Sequence, residues 1–321
     1  MSFAIVFQNK TKTCTRQELA ELVIENLSEN NFAWIHLDRV NDENLGRLLE
    51  KLGIPAEKTD PFLDPGQFFY YAHTQQFILE HFQLCSLNNG SIESSSLKVA
   101  MTDRAIITAH QGASGYIDKV VDICEESFKS VGKSPGFIYF LLWDAIVDGF
   151  LPIIFNIGDK LEEYVEQYLG AFKSDDVLNQ IMQERQEVRK LKSSLAPMQR
   201  SLRHLVSTKI GILSDEARLY LKGIFEHLDR IARNIDSLQS QLNATIEGYH
   251  SKLSKQINNS MRILAIIATI MMPLSLIAAI YGTNFPNIPE LQWKYGYYAF
   301  LGLMLATAVS LLLIFKRKRW L

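Results

Sequence analysis

Two long uncharged runs near the C-terminal end constrain this chain more than any other feature. Residues 263–281 and residues 295–315 contain no charged side chain, and each run is long enough to cross the hydrocarbon core of a bilayer as a helix. A helix satisfies its own backbone hydrogen bonds, which a membrane requires of any segment that spans it. The sequence therefore predicts two transmembrane helices, at about 263–281 and at 295–315.

The segment between the two runs, residues 282–294, is too short for a domain, so the spans are expected to form a tight hairpin. The tail that follows them, residues 316–321, begins with four basic side chains. Because positive residues concentrate on the cytoplasmic side of a membrane, this tail places the C-terminus in the cytoplasm. Two spans then place the N-terminus there as well, in a multi-pass protein of the inner (plasma) membrane.

The part before the first span is long enough to bury a core of its own, and residues 1–133 are expected to form a cytoplasmic α/β domain. Short β-rich runs predict strands at Phe3–Phe7, Phe32–Leu37, Phe68–Ala72, Phe77–Leu84, Leu97–Met101 and Ala105–His110. Helices are expected between them at Thr15–Leu27 and Asp42–Leu52. A formal net charge of −2 indicates no nucleic-acid partner.

Residues 134–212 are predicted to be cytoplasmic helices. Ser134 and Pro135 are typical of a helix start, and the helix that follows is expected to continue to about Gly170. Pro152 is expected to bend or interrupt it, because proline removes a helical hydrogen bond. A second helix, from residue 175 to about residue 209, is expected to break near Pro197.

Residues 213–281 are predicted to form one long stalk helix that includes the first span. Apolar residues recur three and four positions apart from Leu221 to Ile257, a spacing typical of a helix packed on other helices. An unbroken helix from Ser214 to Tyr281 would be roughly 100 Å long. Such a helix needs partners along its length, and a symmetric bundle of copies would enclose a central axis that enters the bilayer.

Polar side chains, methionines and small apolar side chains lie along one stripe of this helix. The stripe consists of Asn258, Met261, Leu264, Ala268, Met272 and Ser275. Periodicity alone leaves two interpretations open: a face packed on lipid or on a neighbouring helix, or the wall of a narrow apolar pore. No Asp, Glu, Lys, Arg or His lies within either span, which argues against a proton relay. Amide, carbonyl and thioether groups suit a hydrated cation, and Mg²⁺ loses its water reluctantly.

The connector between the spans is dense in turn-forming residues. Gly282 and Asn284 can adopt the left-handed backbone conformation, and two prolines stiffen the loop. A symmetric oligomer would gather these loops into a ring of carbonyl and amide oxygens at the outer mouth. Glu290 would add negative charge there and raise the local concentration of cations.

Several other classes of protein find no support in the sequence. No glycine-rich phosphate loop follows a predicted strand, and no nucleophile and base stand out, so the chain is not expected to be an enzyme or to hold a cofactor. Cys14, Cys85 and Cys124 form no close pair, which suits a reducing compartment. His81 and Cys85 have a spacing too unspecific to predict a structural zinc site.

At this point the chain resembles a known family. The run MMPLSLIAAIYGTNFPNIPELQWKYGY (residues 271–297), the two C-terminal spans, the ending KRKRWL and the long preceding helix resemble the CorA superfamily of divalent cation transporters, which includes the ZntB branch. The resemblance implies a homopentamer with a funnel-shaped cytoplasmic α/β domain. It further implies a stalk helix that continues into the pore-lining first span, with the second span outside it. The implied cargo is Mg²⁺, often accompanied by Co²⁺ and Ni²⁺.

The resemblance also assigns roles to individual residues. It places Asn258, Met261, Leu264 and Met272 in the pore. It implies that Gly282 and Asn284 contact the hydrated ion through its water shell at the outer mouth. The family signature is Tyr-Gly-Met-Asn, whereas Thr283 occupies the third position here. Because the ZntB branch also varies this position, Zn²⁺ transport of the ZntB type, with or without proton coupling, is the alternative.

In magnesium-gated members of the superfamily, acidic residues at subunit interfaces bind intracellular Mg²⁺ and hold the pore shut. The corresponding positions here are Cys85 and Gly223, and neither is acidic. The resemblance therefore implies that a carboxylate-bridged closing site is missing, with Glu226 and Asp229 as the nearest substitutes. A membrane-anchored scaffold is the interpretation from another class, and it predicts that Gly282 and Asn284 tolerate substitution.

Overall fold

The computed structural model describes residues 2–18, 31–38, 42–64, 66–67, 69–88, 90–112, 115–130, 134–169, 176–284, 288, 292–318 and 320. The chain divides into two compact units, Met1–Thr245 and Ile246–Leu321. The first unit is an α/β domain, and the second contains two long apolar helical segments. The α/β domain, the long helix and the apolar C-terminal helices confirm the predicted fold class.

A seven-stranded mixed sheet forms the centre of the first unit in the described part of the chain. Its strands are β1 (Phe3–Gln8), β2 (Thr13–Gln17), β3 (Asn31–Asp38), β4 (Tyr70–His73), β5 (Ile78–Asn88), β6 (Ser91–Met101) and β7 (Ala105–Gln111). They are ordered β2-β1-β3-β7-β6-β5-β4, and β3 pairs with β7 in parallel while the other neighbours are antiparallel.

The central strands are apolar on both faces because helices cover both sides of the sheet. Ile35 of β3 and Ile107 of β7 pair with each other and are fully buried. They share one cluster with Leu49 and Phe62, which come from the helices that follow β3. This packing explains why β3 and β7 were recognisable as strands from uninterrupted apolar runs.

Eight helices complete the described residues. They are α1 (Asp42–Lys51), α2 (Ala56–Leu63), α3 (Gly115–Ser130), α4 (Pro135–Asp148), α5 (Phe150–Leu169), α6 (Asp176–Ser207), α7 (Asp215–Tyr281) and α8 (Gly296–Arg317). The helix predicted at Asp42–Leu52 is confirmed as α1, and the long helix predicted from Ser214 is confirmed as the 67-residue α7.

The helix predicted at Thr15–Leu27 is wrong at its N-terminal end. Thr15 lies in β2 and pairs with Val6 of β1 in an antiparallel ladder. Residues 13–17, TCTRQ, include two β-branched threonines, which favour a strand, and pairing with β1 satisfies the backbone hydrogen bonds of this segment. Residues 19–30 lie outside the described residues.

The helix that starts at Pro135 is interrupted as predicted, but one turn before Pro152, whereas the predicted break near Pro197 is wrong. The break between α4 and α5 lies at Gly149, whose N–H donates to the Ala145 carbonyl at 3.2 Å. Pro152 falls in the first turn of α5, where a missing N–H costs no helical hydrogen bond. Pro197 lies inside α6, which continues through it because Met198 and Leu202 are fully buried on the following turns.

Three helical segments in the described residues are long and apolar enough to cross a membrane: Pro135–Gln167, Asp215–Tyr281 and Gly296–Arg317. The apolar stretch of the first is 67% buried inside the protein, against 6% for each of the other two. Tyr139, Trp143 and Phe150 of the first segment are core side chains. Its hydropathy therefore reflects packing on the sheet, whereas α7 and α8 leave their apolar side chains exposed.

Candidate functional site

The six residues of the predicted stripe lie on one exposed face of α7. At 100° per residue they occupy an arc of about 120° around the helix. Met261, Leu264 and Met272 are 62%, 62% and 74% exposed. Asn258, Ala268 and Ser275 are exposed as well. The structure thus brings all six side chains to the same side of one helix.

The opposite face of α7 is the covered one. Its buried or half-buried residues within the span are Ile266, Ile270, Pro273, Leu274, Ile277 and Tyr281. A matching stripe runs along α8 and consists of Gly296, Phe300, Met304, Thr307, Ala308, Leu311 and Phe315. Both sets follow the spacing of three and four residues that places side chains on one helix face.

A single aromatic contact fixes how α7 and α8 are aligned. The rings of Tyr281 and Phe300 lie 4.9 Å apart between centroids, at the end of α7 and the start of α8. Ile266, fifteen residues before Tyr281, and Phe315, fifteen residues after Phe300, are also buried. The equal separations indicate an antiparallel pair, so α8 covers the back of α7 and leaves the stripe uncovered.

The signature residues follow the last turn of α7 directly. The Gly282 N–H donates to the Ala278 carbonyl at 2.9 Å, and a Cβ on Gly282 would lie 3.1 Å from that oxygen. The Thr283 hydroxyl donates to the Ile280 carbonyl at 2.7 Å. Glycine therefore allows the close approach that ends the helix, and Thr283 satisfies a terminal carbonyl. Asn284 is exposed, and Glu290 lies outside the described residues.

The two positions of the expected closing site have different surroundings. Cys85 is buried on β5 with its Sγ 3.5 Å from the Ser194 Oγ, and burial raises the pKa of this thiol. Gly223 is exposed on α7, with open space where a Cβ would stand. Of the proposed substitutes, Glu226 is exposed, and Asp229 is paired with Arg233.

No group of three His, Cys, Asp or Glu side chains in the described ranges is arranged to hold a metal ion. His81 places its Nε2 2.8 Å from the Ser96 Oγ, whereas Cys85 contacts Ser194 of α6. The two side chains therefore have separate hydrogen-bond partners, and the structure does not combine them in a zinc site.

A buried polar network surrounds Glu80, and no pattern in the sequence predicted it. The Tyr139 hydroxyl donates to Glu80 Oε2 at 2.7 Å, the Ser201 hydroxyl donates to Oε1, and His73 Nε2 lies 3.1 Å from Oε1. On its other side, His73 Nδ1 lies 3.0 Å from His204 Nδ1. Burial, followed by the Glu80 carboxylate, raises the pKa of Tyr139 well above its ordinary value and keeps the phenol a donor.

This network joins β4, β5, α4 and α6, so its chemistry is structural: a buried carboxylate is stabilised by several hydrogen bonds. The one signal in the sequence was a carboxylate at Glu80, inside the otherwise apolar start of a predicted strand. A single acidic residue in such a run does not identify its partners, which come from distant segments.

Comparisons with known proteins identify the family of this chain. Residues 29–317 match the family described as CorA-like Mg²⁺ transporter protein. The YfjQ protein of Bacillus subtilis (strain 168) is 26% identical over 323 residues, covering 96% of both chains. A cobalt/magnesium transport protein CorA of Thermotoga maritima is 27% identical over 235 residues, which are 73% of this chain and 67% of the relative.

Solved structures share the fold. The CorA magnesium transporter from Methanocaldococcus jannaschii superposes with a TM-score of 0.83 at 20% identity, over 99% of this chain and 98% of its own. The ZntB cytoplasmic domain from Vibrio parahaemolyticus superposes with a TM-score of 0.64 at 14% identity, over 79% of this chain and 100% of its own. The family match spans nearly the whole sequence, and the chain accordingly belongs to the CorA-like Mg²⁺ transporter family.

Proposed function

We propose that this protein is a transporter of divalent metal cations, and not an enzyme, with α7 as the wall of its ion pathway. The observation that carries the proposal is the exposed stripe of α7, which lies opposite the face covered by α8. Family membership supports the same function, since relatives are named as magnesium or cobalt/magnesium transport proteins.

The proposed topology has two spans, at about 263–281 and 295–315, joined by an external loop at 282–294. Residues 1–133, residues 134–212 and the start of the stalk would then be cytoplasmic, together with the basic tail. The contrast in burial between α4–α5 and the two exposed helices supports two spans over three. This arrangement places the protein in the inner membrane with both termini in the cytoplasm.

The proposed assembly is a homopentamer around the stripe. Large apolar side chains such as Met261, Leu264 and Met272 are exposed in the single chain and would face the central axis of a symmetric bundle. A pore lined by methionine, leucine, alanine and serine offers no fixed charge, so a permeating ion would keep its water shell.

Gly282, Asn284 and Glu290 would form the outer mouth of this pore. The Asn284 amide would bind a water of the hydrated ion, and Glu290 would attract cations by its charge. Thr283 directs its hydroxyl to the Ile280 carbonyl and has a structural part in the loop. No resident cofactor is proposed, because the divalent cation is the cargo.

Mg²⁺ is the proposed ion, with Co²⁺ and Ni²⁺ as further substrates. Zn²⁺ transport of the ZntB type is the second candidate, supported by Thr283 in the signature and by the non-acidic Cys85 and Gly223. Flux into proteoliposomes, measured for Mg²⁺, Zn²⁺, Co²⁺ and Ni²⁺ with and without a pH gradient, distinguishes the two. Mg²⁺ flux that does not depend on the pH gradient supports Mg²⁺ transport. Zn²⁺ flux that depends on the gradient supports transport of the ZntB type.

Asn284→Ala is expected to abolish metal flux while the oligomer stays assembled, because it removes the amide that binds the ion's water shell. The matched control is Asn234→Ala, which removes an exposed amide from α7 far from the loop. Assembly is checked by size-exclusion chromatography with light scattering. Normal flux in Asn284→Ala would contradict the proposed mouth and favour the scaffold interpretation.

A further inference from the structure

An open cleft of about 680 Å³ lies along α7 in the second unit, just before the first predicted span begins. Its lining residues are Lys252, Lys255, Gln256, Asn258, Asn259 and Arg262. The set contains three cations and three amides and no acid. The Arg262 guanidinium donates to the Asn259 Oδ1, so these two side chains are held together on one side of the helix.

The charge around this cleft has one sign. Between Glu247 and Glu290 the sequence contains no acidic residue, while Lys252, Lys255 and Arg262 fall within that interval. The cleft is centred on the same side of α7 as Ile266, which is the side that α8 covers further along the span. It therefore opens toward the basic end of α8 and away from the centre of the stripe.

The alignment of α7 and α8 brings more positive charge to the same level. In an antiparallel pair, residues equally far along the two helices from the contact between Tyr281 and Phe300 lie at the same level. On this count the end of α8 lies within one turn of Arg262. That end carries Lys316, Arg317 and Lys318, all exposed. The six cations of the cleft and of this end are spread over about 15 Å along the helix axis with no acidic side chain among them, and a bound anion would offset their mutual repulsion.

We propose that this cleft binds the phosphate-bearing headgroup of an anionic phospholipid, such as phosphatidylglycerol, in the cytoplasmic leaflet. Lys255 and Arg262 supply charge-assisted hydrogen bonds to phosphate, and the amides of Gln256 and Asn259 bind its remaining oxygens. The headgroup would lie at the boundary where α7 leaves the membrane. The inference rests on the proposed topology, which places this boundary at the inner leaflet.

The test uses the purified full-length protein, delipidated in neutral detergent and titrated with phosphatidylglycerol or phosphatidylcholine under native mass spectrometry. Lys255→Gln/Arg262→Gln is expected to weaken phosphatidylglycerol binding about tenfold, since it removes two charged donors. The matched control, Lys222→Gln/Arg230→Gln, removes the same two charges from exposed positions of the same helix and should bind as the wild type does. Phosphatidylcholine should bind none of the three proteins specifically.

The charge-retaining variant Lys255→Arg/Arg262→Lys is expected to keep most of the affinity, which separates loss of the site from loss of the fold. The proposal is overturned if the control variant loses as much affinity for phosphatidylglycerol as the cleft variant, or if the cleft variant binds the lipid as the wild type does. It is also overturned if inorganic phosphate displaces the lipid. Ion flux is recorded separately. Specific lipid binding by a protein that moves no cation would uphold this inference while contradicting the proposed function.

Discussion

At the scale of single residues, His36 shows how the fold fixes a protonation state. Its Nδ1 lies 2.9 Å from the Thr108 hydroxyl, which also accepts a hydrogen bond from the Trp34 indole at 2.9 Å. Its ring stacks on His110 at 5.0 Å between centroids. Burial, followed by the charge of His110, lowers the pKa of His36 from 6.5 to about 4. The folded protein therefore holds His36 neutral.

This depressed pKa predicts acid sensitivity. Between pH 6.5 and pH 4 His36 is protonated in the unfolded chain but neutral in the folded protein. The free energy of unfolding therefore falls as the pH falls through that range. The loss for this residue reaches up to about 3 kcal/mol near pH 4 and is absent above pH 7. Urea unfolding followed by tryptophan fluorescence at a series of pH values measures it.

His36→Gln keeps a hydrogen bond to Thr108 and removes the titration, so its stability should depend less on pH over this range. His250→Gln, at an exposed position, is the control and should keep the slope of the wild type. An identical slope in all three proteins would show that His36 is not responsible.

At the scale of elements, α7 combines two different faces along one continuous helix. Its first half is held by buried residues such as Leu221, Leu228 and Ile235 in the first unit. Within the span, the face packed on α8 lies opposite the exposed stripe. The three-four spacing of apolar residues predicted the helix, but hydropathy could not distinguish the two faces of the span, because both are apolar.

Disulfide trapping between copies tests which face of α7 meets its neighbours. In a protein with its native cysteines replaced by serine, Met272→Cys is expected to form cross-linked dimers on mild oxidation, because the stripe faces the central axis of the proposed bundle. Ile277→Cys, on the face covered by α8, is the matched control and should stay monomeric on non-reducing gels. Efficient cross-linking through Ile277→Cys alone would reverse the proposed orientation of the helix.

At the scale of the whole molecule, the two positions expected to form a closing site in the proposed assembly carry no carboxylate. Cys85 is engaged with Ser194 inside its own chain, and Gly223 offers no side chain. Asp229, the nearest half-buried acid, already pairs with Arg233. A divalent cation on the cytoplasmic side therefore finds no prepared carboxylate pair at these positions.

Cytoplasmic Mg²⁺ in the millimolar range is therefore expected to leave the assembly unchanged. Limited proteolysis of the purified protein, with Mg²⁺ or with a chelator, should give the same fragments at the same rates. Strong protection by Mg²⁺ would contradict this expectation and would direct the search to Glu226. An unrelated soluble protein, digested in parallel, controls for effects of Mg²⁺ on the protease itself.

The amino-acid sequence was sufficient to predict the apolar C-terminal helices, the length of α7 and the stripe along it. These features depend on local periodicity and on hydropathy, which are properties of neighbouring residues. Tertiary structure decided what local pattern leaves ambiguous: Thr15 joined a strand because β1 offered a hydrogen-bonding partner, and α4 became a core helix because the sheet buried it. The partners of Glu80 come from distant segments, and only folding brings those segments together.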